Sequence, residues 1–392
     1  MDASHKNSYL QSFGQNIDPR VINRCVSLAR DQEVIDGCDF LQPYNRLTSE
    51  QPFIPAQHVD VTRRPEAFGR WALRKLRTEL HDVNPDVVMA AVYSLSDIVH
   101  DPEKGYEAIR LRIPDRLSDL LIHENFKIRE IVCITLTNIA GLSDGKGVII
   151  TNKITLKNMK LLMNDECECV RHKNAGLIEM ISRSWFGAYH LVQAGFIKCI
   201  MDKLLTEGDN ILFIFLEALL SLMYGEGKDE VLKLGGFDIF LCLMENKAVH
   251  LASKAGDCFM MITSTYVGKK LAYDNNTLQK LTRILHFDNT DLYASAASGI
   301  MFCTIKSRAK IRASEMPHLL DRLVLLSNNF HNRRAQIFSI KALTNICEHP
   351  DVREVVKCKY IDHIEDIVVG CSEEVKRYKE ILLSVIKLLP WS

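Results

Sequence analysis

An all-α fold, a solenoid of about eight helical repeats of 40–43 residues, is what this sequence predicts, and three observations carry the prediction. Pairs of large apolar residues three apart recur along the chain: Leu95/Ile98, Leu136/Ile139, Ile178/Ile181, Leu219/Leu222, Phe259/Ile262, Ile300/Cys303, Leu343/Ile346 and Val385/Leu388. The steps between their first members are 41, 42, 41, 40, 41, 43 and 42 residues. One such pair means nothing, since every amphipathic helix contains them; eight at a near-constant step mark a tandem helical repeat. The second observation is the run from Asp291 to Thr304, in which Ala296, Ala297 and Gly299 are too small to fill a core and so mark a helix face that a neighbouring helix approaches closely. The third is that the intervals between anchors, where they can be parsed, hold a short helix and two longer ones.

Taken in order, residues 1–57 are a polar leader punctuated by Pro43, Pro52 and Pro55, a disordered tail or a docking arm with at most one helix, from Pro19 to Asp31. Residues 58–392 form the repeat domain. Pro65 opens a basic helix that runs to Leu80, with Phe68, Trp71, Ala72, Leu76 and Leu80 on one side and Arg63, Arg64, Arg70, Arg74, Lys75 and Arg77 around the rest. Its apolar side is expected to cap the open end of the first repeat, because a solenoid needs a cap. Asn84-Pro85-Asp86 starts the first anchored helix, which continues to about Val99. His100 to Glu103 reads as a turn, Tyr106 to Ile113 as a short helix, and Pro114 as the start of the next. In the later repeats Gly195, and Gly235 with Gly236, supply the permissive backbone between the first and second helix. The interval 142–183 lacks that glycine and is assigned by spacing. Ser372-Glu373-Glu374 starts a charged terminal helix carrying Lys376, Arg377, Lys379 and Glu380, a C-terminal cap with nothing after it. Three helices per repeat is the armadillo layout rather than the two-helix HEAT layout, so the expected architecture is an armadillo-repeat right-handed superhelix.

Composition narrows the function. The chain has 49 basic and 49 acidic residues in 392, which argues against a chain-wide nucleic-acid or membrane footprint. No run of 18 uncharged apolar residues occurs, so neither a signal peptide nor a membrane span is expected. The 12 cysteines are scattered without a C-x-x-C, as in a reduced, cytosolic protein. No phosphate-binding loop is present; Gly225-Glu-Gly-Lys228 follows a helix where a strand is required. G-x-S-x-G occurs at Gly141-Leu-Ser-Asp-Gly145 but follows the anchored helix of Leu136/Ile139 where a nucleophile elbow requires a strand, H-E-x-x-H does not occur, and Glu166-Cys-Glu-Cys169 lacks the second pair a zinc site needs. A non-enzymatic protein without metal or cofactor is therefore expected.

Binding is expected on the face of the third helices, the concave side of an armadillo array. The residue two after each anchor gives the series Asp97, Asn138, Met180, Ser221, Met261, Phe302, Asn345 and Lys387. Armadillo proteins that hold extended peptides use asparagines there to bond the peptide backbone. Only Asn138 and Asn345 fit, which argues against a nuclear-import receptor and for a groove that accepts a helix or another subunit's side chains. Asp97, Asn138, Phe302 and Asn345 are the candidate groove residues; Phe302 has a packing role as the alternative. Arg70, Arg74 and Arg77 are either a solvated face or a contact for an acidic protein partner.

In the stretch VDVTRRPEAFGRWALRKL, and again in HDPEKGYEAI and SAASGIMFCTIKSRAKI, the chain resembles the radial spoke head 14 homolog family. That family shows D-P-T-x-x-P-x-A-F-G-x-x-A-L-P-K-L near its start. Asp60, Thr62, Pro65, Ala67, Phe68, Gly69, Ala72, Leu73, Lys75 and Leu76 match, while Val61 and Arg74 stand where the family has prolines. The resemblance begins at about residue 58 and implies an armadillo subunit of the radial spoke in the axoneme of cilia and sperm flagella, with other spoke subunits as partners. A soluble cytosolic armadillo adaptor or assembly factor, binding helical client segments, is the competing class.

Overall fold

The computed structural model describes residues 71–275, 277–316 and 318–388. The leader, its expected helix at 19–31, the start of the basic helix at 65–70 and the final residues from 389 lie outside them. Among the described residues there are 22 helices and no strand, divided into two units at His190/Leu191.

The first unit holds α1 (Ala72–Glu79), α2 (Pro85–Ile98), α3 (Pro102–Arg110), α4 (Ile113–Leu120), α5 (Phe126–Ala140), α6 (Ser143–Thr151), α7 (Lys153–Leu162) and α8 (Glu168–Ser182); α9 (Trp185–Gln193) runs across the division. Asx residues start several of these helices by satisfying a backbone donor of the first turn. Asn84 Oδ1 accepts from the Asp86 N–H at 2.9 Å, Asp101 Oδ1 from Glu103 at 3.1 Å and Asn125 Oδ1 from Lys127 at 3.0 Å. Asp101-Pro102 is thus a cap and first turn, and the short helix begins at Pro102 rather than at Tyr106. Where α3 meets α4 the left-handed position is taken by Arg112, at φ 56°. Between α6 and α7 there is no left-handed residue. Asn152 ends one helix and caps the next, its Oδ1 accepting from the Ile154 N–H at 2.9 Å.

The second unit continues with α10 (Phe196–Lys203), α11 (Asp209–Tyr224), α12 (Lys228–Lys233), α13 (Gly236–Leu243), α14 (Val249–Thr263), α15 (Tyr266–Asp274), α16 (Thr277–Ile284), α17 (Thr290–Cys303), α18 (Ser307–Glu315), α19 (Leu319–Ser327), α20 (Arg333–Cys347), α21 (Pro350–Glu365) and α22 (Glu373–Ile386). Gly195 (φ 77°) and Gly235 (φ 79°) turn the chain before α10 and α13, as their position in the sequence predicts, and His318 (φ 62°) does so before α19. An L-residue in that region is strained by roughly 1–2 kcal/mol, so Arg112 and His318 are held there by the helices on either side. The last repeat departs from the three-helix layout. Its first two helices are one, α21, because the segment Pro350–Glu365 contains neither a glycine nor an internal proline to break it.

Third helices supply the core. Leu95, Leu136, Ile178, Leu219, Phe259, Ile300 and Leu343 are each fully buried, as seven of the eight anchors require. The eighth is out of register: Val385 is half-buried and Leu388 is exposed, while Val375, Leu382 and Ile386 carry the buried stripe of α22. The repeat is also visible in its hydrogen bonds. Arg116 Nε donates to the Leu80 carbonyl in the first unit, 36 residues back and at 3.0 Å, and Arg322 Nε makes the same bond to Leu285 in the second, 37 residues back and at 3.0 Å. Each arginine starts near the head of a second helix and satisfies a carbonyl left open at the end of the preceding one, where the helix has no further N–H to offer.

Candidate protein-binding site

In the first unit, Arg74 and Arg77 are exposed on α1, whose apolar side buries Leu73 and Leu76. The two arginines, with Thr78, His81 and Leu111, line an open pocket of about 610 Å³. The Arg74 guanidinium lies 5.2 Å from the centre of the Trp71 ring, a cation–π contact that holds it against the helix. The His81 ring, through Nδ1–H, donates to the Arg77 carbonyl at 3.0 Å, leaving Nε2 as its second polar atom. Two guanidinium groups beside an imidazole make a surface suited to a carboxylate. Arg70 lies outside the described residues.

The remaining candidates sit near the C-terminal ends of third helices. Asp97 is exposed on the last turn of α2. Asn138 is half-buried on α5; its Nδ2 donates to the Ser96 carbonyl at 3.2 Å and lies 3.2 Å from His100 Nε2. Asn345, on α20, does the equivalent in the second unit, donating to the Met301 carbonyl at 2.9 Å. Both amides therefore reach back one repeat and satisfy a carbonyl of the preceding third helix. Phe302 is half-buried on α17, with Lys269 Nζ 5.8 Å from its ring centre.

One helical turn before this series lies a set of residues that sequence reasoning missed. Counting back four from Ser221, Met261 and Asn345 gives Glu217, Asp257 and Lys341, on the same face of α11, α14 and α20. Lys254 of α14 sits 3.2 Å from Glu217 and 5.5 Å from the Phe213 ring centre, bridging to α11. Asp257 accepts a hydrogen bond from Ser295 Oγ of α17 at 2.9 Å and pairs with the Arg334 guanidinium of α20. Lys341 lies 4.0 Å from the ring centre of Tyr378 on α22, 5.9 Å from that of Phe338, and 3.9 Å from Glu374. The result is a row of half-buried rings and ion pairs along the second unit. Its one sequence signal is a charged residue one turn before the predicted groove position.

The Asp257–Arg334 contact joins residues 77 apart, two repeats rather than one. It passes over α17, where Ser295 and its neighbours are small enough to let the two side chains meet. Among the described residues no group of three His, Cys, Asp or Glu side chains is placed to hold a metal ion, and no helix is long and apolar enough to cross a membrane.

No family model matches the chain. Among solved structures it is similar to an engineered protein from a structural-genomics consortium, at 17% identity over 80% of this chain and 78% of that one, with a TM-score of 0.71. A designed armadillo-repeat protein aligns at 15% identity over 59% of this chain and 99% of its own, with a TM-score of 0.54. Another designed armadillo-repeat protein, solved in complex with the peptide (KR)4, aligns at 16% identity over 59% of this chain and 99% of its own, also with a TM-score of 0.54. Identities this low speak to fold alone, and they agree with the helix order and the one-repeat hydrogen bonds: the chain is an armadillo-repeat α-solenoid.

Proposed function

We propose that this chain is a non-enzymatic structural subunit of the axonemal radial spoke, acting through protein–protein contacts in spoke assembly and so in ciliary or sperm flagellar motility. The observation that carries the spoke assignment is the stretch from Asp60 to Leu76, with its Ala67-Phe68-Gly69 core. A binding role rests on the row from Phe213 to Tyr378. One neighbour in fold holds the basic peptide (KR)4. Here Glu217, Asp257 and Glu374 are already matched by Lys254, Arg334 and Lys341, so a basic peptide finds no uncompensated acid in them. Rings and neutralised pairs suit an occupant that brings apolar side chains, as one face of a helix does. The Arg74/Arg77 pocket suits an acidic protein neighbour. On this reading the partners are other spoke subunits, the location is the cytoplasm and the cytoskeleton of the axoneme, and neither nucleic acid nor membrane is bound.

Extraction of isolated flagella with detergent and then salt tests the assignment. The protein is expected to stay with the axoneme; release into the soluble fraction overturns the spoke reading and favours a cytosolic adaptor for helical client segments. The triple variant Arg70→Glu, Arg74→Glu, Arg77→Glu tests the pocket. It should fold, since reversals at the exposed Arg74 and Arg77 cost about 0.5 kcal/mol each and loss of the cation–π contact about 0.5–1 kcal/mol. It should nevertheless fail to enter axonemes, since like charges across a contact slow encounter and oppose docking. Normal incorporation of the folded variant removes this pocket and leaves the third-helix faces, beginning with Asn138 and Asn345.

A further inference from the structure

Glu166-Cys-Glu-Cys169 is too poor in ligands for a zinc site, yet its two thiols are drawn together. Cys167 Sγ and Cys169 Sγ are 2.7 Å apart, and both residues are half-buried, reachable by a small molecule. The loop that carries them is fixed from several directions. Arg129 of α5 grips the Asp165 carboxylate with Nε at 2.7 Å and Nη2 at 2.9 Å, and its Nη1 donates to the carbonyls of His123 and Glu124. Arg171 of α8 donates to the Asp165 and Glu166 carbonyls at 2.8 and 3.3 Å. The Cys167 N–H donates to Asp165 Oδ1 at 2.9 Å. Cys167 occupies the N-cap position of α8 in an extended conformation (φ −85°, ψ 120°) and Cys169 lies in the first turn, so the chain folds back over Glu168 and brings the sulfurs to one side.

We propose that Cys167 and Cys169 are a thiol–disulfide exchange site whose co-reactant is a low-molecular-weight disulfide of the glutathione class. The Cys167 thiolate attacks one sulfur of that disulfide, forming a Cys167–S–S–R bond and expelling one thiolate RS⁻. The Cys169 thiol then loses its proton to solvent and attacks Cys167 Sγ, expelling the second RS⁻ and closing a Cys167–Cys169 disulfide. Two protein thiols are oxidised and one small disulfide is reduced to two thiols.

Local electrostatics set the order. The hydrogen bond from the Cys169 thiol and the N–H groups of Cys169 and Val170 hold the Cys167 thiol below its ordinary pKa, against the opposing effect of partial burial. Burial, the neighbouring Cys167 sulfur and Glu130 push Cys169 up to about 12. Once Cys167 is in the mixed disulfide, its negative charge is gone and part of the barrier to ionising Cys169 goes with it. The solitary core thiols differ: burial pushes both Cys303 and Cys347 up to about 12, and a fully buried thiol is closed to a small disulfide.

The full-length reduced protein, incubated with glutathione disulfide, acid-quenched, alkylated and mapped by mass spectrometry, tests the proposal. The peptide holding both residues should lose two hydrogens and resist alkylation, while Cys258, Cys303 and Cys347 stay reduced. Cys169→Ser should trap glutathione on Cys167, and Cys167→Ser should trap it on Cys169 more slowly, since burial and Glu130 still oppose ionisation of Cys169 when the Cys167 sulfur is gone. Free alkylation of both cysteines after incubation overturns the site. Equal trapping in the two serine variants overturns the assigned order, and with it the proposal as stated.

Discussion

Two third helices of the second unit, α17 and α22, show what position in the array does to one kind of element. In α17 every residue from Leu292 to Ile300 is buried. α14 packs on one side, α20 on the other and α16 behind, and from Ala294 to Gly299 every side chain between them is small. α14 comes close at Gly256, where an added Cβ would stand 2.6 Å from Ser295 Cβ. Among the described residues α22 has a third helix on one side only, α20, and buries Val375, Leu382 and Ile386. Its apolar stripe turns toward α20 and α21. The pair Val385/Leu388, which keeps step with the repeat in sequence, therefore rotates out of the core. Periodicity reports the residues squeezed from both sides; where a helix packs on one neighbour, that neighbour sets the register.

Substitutions sharpen this contrast, and the largest effect is expected at Ile300. Ile300→Ala opens a cavity under fully packed neighbours and should cost about 2–5 kcal/mol. Hydrogen exchange should rise locally around α14 to α20; unchanged exchange there would contradict the enclosed state of α17. Gly256→Ala comes next, at about 1–3 kcal/mol, because the new methyl meets a Cβ tied to the backbone rather than a flexible tip. A chemical-denaturation midpoint equal to or above the parent's would mean that α14 and α17 can separate at no cost. The pair Asp257 and Arg334 should show a coupling of about 0.5–1 kcal/mol in a double-mutant cycle with Asp257→Asn and Arg334→Gln, kept small by the exposure of the arginine. Additive single effects would show that the bond crossing α17 contributes nothing. Smallest of all, Leu388→Ala should lie within about 0.5 kcal/mol of the parent; a loss comparable to that of Ile300→Ala would restore the eighth anchor to the core.

Much of the fold was legible because its determinants are local or periodic. Asn84 and Ser372 announce helix starts, Gly195 and Gly235 announce sharp turns, and seven anchors fall one repeat apart. Arg112 gave no warning, since arginine has no preference for a left-handed backbone, and His318 gave little, since histidine is enriched there yet still adopts it rarely; the flanking helices hold both. Asn152 serves two helices at once, a role its sequence neighbours do not signal. The fusion that makes α21 was legible as a missing breaker and was obscured by the three-helix template. For the candidate site, the third-helix face was legible, and Asn138 and Asn345 lie on it with their amides committed to the preceding repeat. Glu217, Asp257 and Lys341 were not legible because their partners lie one or two repeats away, where spacing along the chain says nothing of which charge meets which. The two sulfurs at Cys167 and Cys169 were visible as a motif, but their approach depends on Arg129, from another helix.

The bond between Asp257 and Arg334 also bears on how the array responds to load. A linear repeat protein behaves as a one-dimensional chain in which each unit is coupled to the units beside it. A side-chain bond that skips a unit adds a next-nearest coupling, so α14, α17 and α20 are linked pairwise all round rather than in series. Tension applied along this stretch cannot peel one repeat from the next without also breaking the tie across the middle one. Its contribution to resisting that separation is of the size of the coupling, about 0.5–1 kcal/mol.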